Sequence, residues 1–267
     1  MNLQRSAAIV VRQFYLMRGS VARFVPLFAW VGVDMVLWGF MSRYLNAITG
    51  ARANFVATLL GAVLLWDFFT RVMQGVTMTF FEDVWSRNFL NIFASPLCIS
   101  EYLAGLVTSS IAMSFIGLVF MLFLATVVFG LSFFSYGVLL ILALLVLFLF
   151  GVALGIAAAA MVLRLGPAAE WFVWPIPALM APFAAVYYPI TTLPRWMQYV
   201  ARIIPPSYVF QNIRSVVSGG TTSWAPLFFG TVIAVIYTIV ASWFFYRMYR
   251  YGVRTGIIAR YSSETLS

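Results

Sequence analysis

Histidine and lysine are absent from this 267-residue sequence, and cysteine occurs once, as Cys98. Without histidine the chain cannot build Ser–His catalysis, a histidine metal site or a histidine proton relay. A single cysteine excludes an intrachain disulfide and a cysteine-cluster zinc site. Because a phosphate-binding P-loop requires its lysine, any ATP that this protein uses must be bound by another chain. We therefore predict no metal site and no cofactor within the chain itself.

Charged residues are also scarce, at 9% of the sequence against about 25% in soluble domains. Residues 102–163 form a run of 62 residues without one charge. As a single helix this run would be about 90 Å long, whereas the hydrocarbon core of a bilayer is about 30 Å thick. The run must therefore cross a membrane twice, with a turn at residues 130–137, where glycine, serine and aromatic residues interrupt the aliphatic sequence.

Only helices or a closed barrel can span a bilayer, and these apolar runs are too long and continuous for barrel strands. We predict an all-α membrane protein with six transmembrane helices. They lie at residues 24–44, 54–80, 102–130, 135–163, 171–189 and 225–247. An even number places both termini on one side, and that side is the cytoplasm because it then carries ten arginines against five outside.

The net charge of +9 comes from arginines near the ends of the predicted spans. At that depth arginines meet phospholipid headgroups, so the expected partner is a lipid bilayer and not a nucleic acid. Within residues 1–23, three of the four arginines and the apolar residues fall on opposite faces of a helix, and Arg18 departs from this pattern. The two faces consist of Arg5, Arg12 and Arg23, and of Leu3, Val10, Phe14 and Val21. This pattern predicts an interfacial amphipathic helix rather than a signal peptide, and leaves open whether the helix also contacts a partner.

Two of the predicted spans carry additional local patterns. Gly151 and Gly155 in the fourth span permit close packing on another helix, of this chain or of a second one. The fifth span contains four prolines, which bend helices and are often found along paths or hinges. They are Pro175, Pro177, Pro182 and Pro189.

Two polar segments connect the spans. Residues 82–98 form a short amphipathic helix by pattern and end at Ser95-Pro96. Residues 190–216 are too long for a simple loop and too polar for a span. They predict two short extracellular helices, broken at Pro205-Pro206 and re-entrant into the outer leaflet.

These two segments resemble the permease subunits of ABC-2 type transporters, the six-span exporters of the ATP-binding-cassette superfamily. On the cytoplasmic side, Glu82 follows the second span and the amphipathic segment ends in Ser95-Pro96, as in that family. The outer motif of the family is matched in order by Leu193-Pro194, Pro205, Tyr208 and Arg214.

The chain departs from the family pattern in two places. Ile204 stands where the outer motif has asparagine, and Arg87-Asn88 lie near the position of a Gly-Thr in the first motif. The resemblance otherwise covers essentially the full length. It implies one transmembrane domain over residues 1–267, with a cytoplasmic tail at 248–267.

The resemblance also implies partners. Two copies of the permease would pair as a homodimer, and two separate ABC ATPase subunits would dock beneath them and bind Mg-ATP. Residues 82–98 would be a coupling helix that passes ATPase closure to the second and third spans as a rigid-body motion. The expected coupling residues are Glu82, Asp83, Phe89, Leu90, Ser95 and Pro96, and aspartate at Phe89 or Leu90 is expected to abolish transport.

A transport path would then lie between the two permeases, bordered by the first, second and fifth spans. The candidate path residues are Trp30, Asp34, Trp38, Trp66, Tyr187 and Tyr188. Asp67 and Arg71, four residues apart, are predicted to form an intramembrane ion pair, either functional or structural. The candidate residues of an extracellular gate are Pro194, Trp196, Pro205, Tyr208 and Arg214.

The resemblance implies a non-enzymatic permease subunit of an exporter in a bacterial inner membrane. Its 18% aromatic content favours a hydrophobic or amphipathic substrate of the drug or lipid type. A lipid-linked polysaccharide or teichoic acid is the alternative. A self-sufficient channel or a membrane-embedded enzyme is the alternative of another class, disfavoured because the chain has only seven acidic residues and no histidine.

Overall fold

The computed structural model describes residues 3–18, 21–49, 56–86, 91–92, 95–131, 137–220 and 223–256. Over these residues the chain forms nine α-helices and no strand, which confirms the all-α prediction. The helices are α1 (Leu3–Arg18), α2 (Val21–Thr49), α3 (Gly61–Trp85), α4 (Ile99–Phe129), α5 (Gly137–Leu165), α6 (Ile176–Ala184), α7 (Arg195–Ile203), α8 (Pro205–Val217) and α9 (Trp224–Thr255). A π-helical turn, Val56–Leu60, leads into α3, and two 3₁₀ helices, Pro167–Phe172 and Ile190–Thr192, flank α6.

Among the residues that the structure describes, four helical segments are long and apolar enough to cross a membrane. They are Thr58–Trp85, Ile99–Phe129, Gly137–Leu165 and Trp224–Thr255, and they coincide with the predicted second, third, fourth and sixth spans. The predicted first span, residues 24–44, lies within α2. This helix has 29 residues, and its length of about 44 Å exceeds the thickness of the hydrocarbon core.

The predicted fifth span, residues 171–189, is not a single transmembrane helix. α6 has nine residues and is about 14 Å long. It follows a 3₁₀ helix and ends at Ala184, and the next residue, Ala185, has a left-handed φ of 53°. The prolines explain the break, because each lacks an amide donor and three of them flank α6 or lie in its first turn. The sequence correctly indicated bending here but wrongly indicated a continuous span.

α3 lies at the centre of the bundle and packs on both α4 and α5. Its contact with α5 is built on the two glycines that the sequence indicated. A Cβ on Gly155 would lie 2.8 Å from the Met73 carbonyl oxygen, and a Cβ on Gly151 would lie 2.9 Å from Val72 Cβ. The helices therefore approach more closely than a side chain permits. The partner of the glycine pair is α3 of the same chain.

The bundle has two ends. One holds α1, which packs on α4, together with the end of α3, where the indole of Trp85 donates a 2.9 Å hydrogen bond to Glu170. The opposite end holds α8, which packs on the π-helical turn before α3. We call them the α1 end and the α8 end.

Candidate functional site

Three buried or half-buried polar side chains meet at the α1 end. Arg12 of α1 forms an ion pair with Asp83 near the end of α3. The Tyr102 hydroxyl of α4 donates a 2.8 Å hydrogen bond to the other Asp83 oxygen. Asp83 and Tyr102 are both 0% exposed. This trio, which we call the α1 junction, joins α1, α3 and α4 at one point.

A second set of contacts attaches α1 to the start of α4. The Arg5 guanidinium donates to the Pro96 carbonyl and lies 3.7 Å from a Glu101 carboxylate oxygen. The same Glu101 oxygen accepts a 3.0 Å hydrogen bond from the Cys98 amide and so caps α4. α1 is therefore bonded directly to the segment that the sequence assigned to coupling.

α1 has the two predicted faces, and the structure shows which way they turn. Arg5 and Arg12 contact protein, whereas Leu3 and Phe14 are 77% and 63% exposed. The arginines turn inward because Asp83 is a buried carboxylate that requires a cationic partner. The side chains of Val21 and Arg23 lie outside the described residues.

The predicted coupling helix, residues 82–98, is described in part. α3 continues through Glu82 to Trp85, and Asn91–Ile92 are helical. Ser95 and Pro96 are exposed and Glu82 is half-buried, whereas Phe89 and Leu90 lie outside the described residues. Asp83, predicted to contact the ATPase, is enclosed within the chain and cannot touch a partner in this conformation.

A second group of polar side chains lies within the bundle. Asp34 on α2 and Asp67 and Arg71 on α3 are close enough for their charges to interact. Tyr187, just after α6, lies near both carboxylates. Its ring stacks on Trp38 of α2, with centroids 5.2 Å apart and planes inclined by 10°. We call these five residues the charge cluster.

Asp67 and Arg71 do not form the direct ion pair that their spacing predicted. Among the described residues, ion pairs within 4.0 Å join Arg5 to Glu101 and Arg12 to Asp83. Arg71 instead lies against α4, where a Cβ on Gly117 would come within 3.2 Å of Arg71 Cδ. The missing side chain at Gly117 leaves room there for Arg71. Its Nε is enclosed and has no acceptor within the described part of the chain.

The other predicted path residues separate into three environments. Trp30 is 73% exposed on α2. Trp66 is 8% exposed and packs within the core on Phe69 and Phe210, with ring centroids 4.7 and 6.0 Å apart. The Tyr188 hydroxyl donates a 2.9 Å hydrogen bond to the Pro182 carbonyl. Of the six candidates, the structure brings together Asp34, Trp38 and Tyr187.

Arg214 connects α8 to the turn that carries Tyr187. Its guanidinium donates to the carbonyl oxygens of Ala185 and Val186, at 3.0 and 3.3 Å. These carbonyls follow the left-handed end of α6, where no helical amide reaches them. Arg214 thus fixes the turn that places Tyr187 in the charge cluster.

The remaining gate candidates lie around α7 and the start of α8. The Tyr208 hydroxyl donates a 2.7 Å hydrogen bond to the Arg202 carbonyl. Pro205 is buried as the first residue of α8, while Pro194 is exposed just before α7. Trp196 is exposed and makes an edge contact with Phe183. Their place beside the α6 turn is compatible with the predicted gate.

Replacing Arg214 with methionine should loosen this turn. The change retains the apolar stem and removes two hydrogen bonds from a charged donor, each of which contributes about 1.5–3 kcal/mol. We expect faster hydrogen exchange at residues 185–188, measured by mass spectrometry. Arg202→Met, at an exposed arginine of α7, is the matched control. Equal exchange in the two variants would argue against the role of Arg214.

Comparison of the sequence with models of known protein families identifies the family of this chain. Residues 7–218 match the family model of the ABC-2 type transporter, a range that contains the α1 junction, the charge cluster and Arg214. A comparison with curated proteins finds no match. Permeases of this family are the membrane components of ABC transporters, are generally not catalytic, and work with an ABC ATPase. Because the match covers most of its length, this multi-pass membrane protein belongs to the ABC-2 type transporter family.

Proposed function

We propose that the chain is the permease of an exporter that moves a hydrophobic or amphipathic substrate outward across a bacterial inner membrane. A separate ATPase subunit binds Mg-ATP and supplies the energy. A drug-like or lipid-like substrate is favoured over a lipid-linked polysaccharide or teichoic acid. The observation that carries the proposal is the position of Asp34, on an exposed and otherwise apolar face of α2.

The exposed face of α2 cannot lie entirely against lipid, because it carries Asp34. Asp34 is only half-buried, and its helical neighbours Trp30, Val33 and Leu37 are exposed. A charged side chain at the centre of a bilayer costs about 2.5–3.5 kcal/mol or more. The face must therefore meet protein or water. A second copy of the permease satisfies this requirement, and a path between the two copies would be lined by Asp34.

The course of the chain supports six crossings. α5 ends near Glu170, which bonds Trp85 at the α1 end, while α8 lies at the other end of the bundle. Residues 170–204 must therefore travel from one end to the other through α6 and its flanking turns. This broken segment is the proposed fifth crossing. With α2 as the first, both termini lie at the α1 end, which we assign to the cytoplasm from the distribution of arginines.

The α1 end offers a continuous route for coupling. Ser95 and Pro96 are exposed for contact with an ATPase, and Arg5 bonds Pro96 to α1. α1 is in turn joined to α3 through Arg12 and Asp83. A displacement of the coupling segment would move α1 and the end of α3 together, and α3 carries Asp67 and Arg71. We propose two ATPase subunits, one beneath each permease.

Co-purification tests the permease assignment. The chain would be expressed with the ATPase encoded beside it and purified through a tag on this chain alone. We expect an ATPase to accompany it and to hydrolyse ATP in lipid nanodiscs, with inhibition by vanadate. A homogeneous chain without ATPase, despite good expression of both, would favour a self-sufficient channel or enzyme.

Labelling of Cys98 tests sidedness and docking without a mutation. Cys98 is the only cysteine and is exposed at the start of α4. A membrane-impermeant maleimide should label it in inverted vesicles and not in intact cells, and bound ATPase should slow labelling severalfold. The control is a Cys98→Ser, Ser218→Cys variant, because Ser218 is exposed at the α8 end and should react from outside. Labelling of both positions from the same side would contradict the topology.

A further inference from the structure

The charge cluster contains two carboxylates and one guanidinium. Its charged members are Asp34 on α2 and Asp67 and Arg71 on α3. With both carboxylates ionised, these groups carry a net charge of −1. Within the described residues, neither carboxylate accepts a hydrogen bond or forms an ion pair within 4.0 Å. Arg71 also keeps an enclosed Nε without an acceptor.

The described part of the chain does not supply partners for all the polar groups of the charge cluster. Polar groups inside a membrane protein normally find internal partners, and each exception requires an explanation. Arg71 can balance one carboxylate through space, because its charge interacts with both Asp34 and Asp67. The second carboxylate then lacks a counter-charge. In a low-dielectric region this imbalance favours the entry of a cation.

The aromatic residues of the charge cluster also favour a cationic ligand. Trp38 and Tyr187 form a stacked pair beside the carboxylates. Ring faces attract organic cations, and tryptophan does so most strongly. Asp34 and Trp38 are half-buried, and the exposed apolar side chains of Trp30 and Leu37 lie on the same helix. A ligand here would meet carboxylate, ring faces and apolar surface together.

We infer that the charge cluster binds an amphipathic organic cation, which is thereby the substrate class of the exporter. The inference rests on the proposed function and narrows it. The cationic centre would lie between Asp34, Asp67 and the Trp38–Tyr187 pair, with its apolar groups against the exposed face of α2. A polyanionic glycan or teichoic acid would meet net negative charge at this point and would be disfavoured.

Two ions of matched shape and opposite charge test the sign of the site. Tetraphenylphosphonium and tetraphenylborate share four phenyl groups and differ in charge. Equilibrium binding of each would be measured to the purified chain in nanodiscs of neutral lipid, with empty nanodiscs as background. We expect saturable binding of tetraphenylphosphonium that tetraphenylborate does not displace. Asp34→Asn and Asp67→Asn should each weaken binding by about tenfold or more.

Two further variants control for altered folding. Asp34→Glu retains the charge and should bind within about threefold of the parent protein. Glu170→Gln makes the same carboxylate-to-amide change at the α1 end, where its oxygen can still accept from Trp85, and should leave binding unchanged. Equal binding of both ions, or unchanged binding in both asparagine variants, would overturn the inference. Absence of tetraphenylphosphonium binding would also overturn the inference, because a proton would then neutralise the second carboxylate.

Failure of this inference is distinguishable from failure of the proposed function. Co-purification of a vanadate-sensitive ATPase establishes the permease whether or not the cation binds. If an ATPase co-purifies but the site binds both ions equally, the chain is still the permease of an exporter. Only the inference of a cationic substrate is then rejected.

Discussion

Replacing Asp83 with leucine is expected to destabilise the protein by about 3 kcal/mol or more. Asp83 is 0% exposed, and its two oxygens contact Arg12 and Tyr102. Removing one partner of a buried ion pair costs about 3–5 kcal/mol because the other charge remains without compensation. Arg12 retains 29% exposure of its side chain, which places the expected loss at the lower end of that range. The buried Tyr102 hydroxyl also loses its acceptor, at about 1–3 kcal/mol.

The measurement is the midpoint of thermal denaturation in detergent, with hydrogen exchange of α1 as a local readout. The double variant Arg12→Met, Asp83→Leu removes both charges and should recover part of the loss. Arg5→Met is the control, because the Arg5 side chain is 41% exposed and its ion pair with Glu101 contributes about 1 kcal/mol or less. A single Asp83 variant as stable as the double variant would contradict the α1 junction.

Replacing Gly155 with alanine is expected to force α3 and α5 apart. The new Cβ would lie 2.8 Å from both the Met73 carbonyl oxygen and Val76 Cβ. A backbone oxygen cannot rotate away, so the helix axes must shift, and overpacking of this kind costs about 1–3 kcal/mol. Leucine at the same position should prevent the close approach altogether. We expect a lower midpoint of thermal denaturation for alanine and little folded protein for leucine.

The matched control is Gly32→Ala on α2, where nothing lies within 4 Å of the added Cβ. That variant should match the parent protein or exceed its stability slightly, since alanine is the better helix former. Equal losses at Gly32 and Gly155 would show that the Gly155 effect does not arise from contact with α3.

The sequence predicted the apolar helices well because their signal is physical and local. Long uncharged runs can only be membrane helices, and the Gly151–Gly155 spacing predicted a close contact that the structure places on α3. The fifth span was predicted as one helix, because hydropathy cannot distinguish a broken apolar segment from a continuous helix. The prolines carried that information, and they were correctly interpreted as bending but not as a complete break.

The site was predicted less completely. Asp83 adjoins Glu82 and was predicted as a coupling residue, although it falls three residues after Phe80 and seven after Val76 on the buried stripe of α3. That periodicity could have placed it in the core. Nothing comparable marks Tyr102 or Arg12, because their meeting depends on how three helices pack. The spacing of Asp67 and Arg71 predicted an ion pair between them. Tertiary packing prevents that pair, because Gly117 of α4 makes room for the Arg71 side chain.

The α1 junction also has a consequence for the order of events during synthesis. Arg12 precedes Asp83 by 71 residues and Tyr102 by 90. At about 5–20 residues per second, several seconds pass before either partner leaves the ribosome. In the proposed topology, the arginines of α1 are free during that interval to hold the N-terminal segment on the cytoplasmic face while the first helices insert. The same guanidinium groups can therefore serve twice, first to set the orientation of the nascent chain and later to join its finished helices.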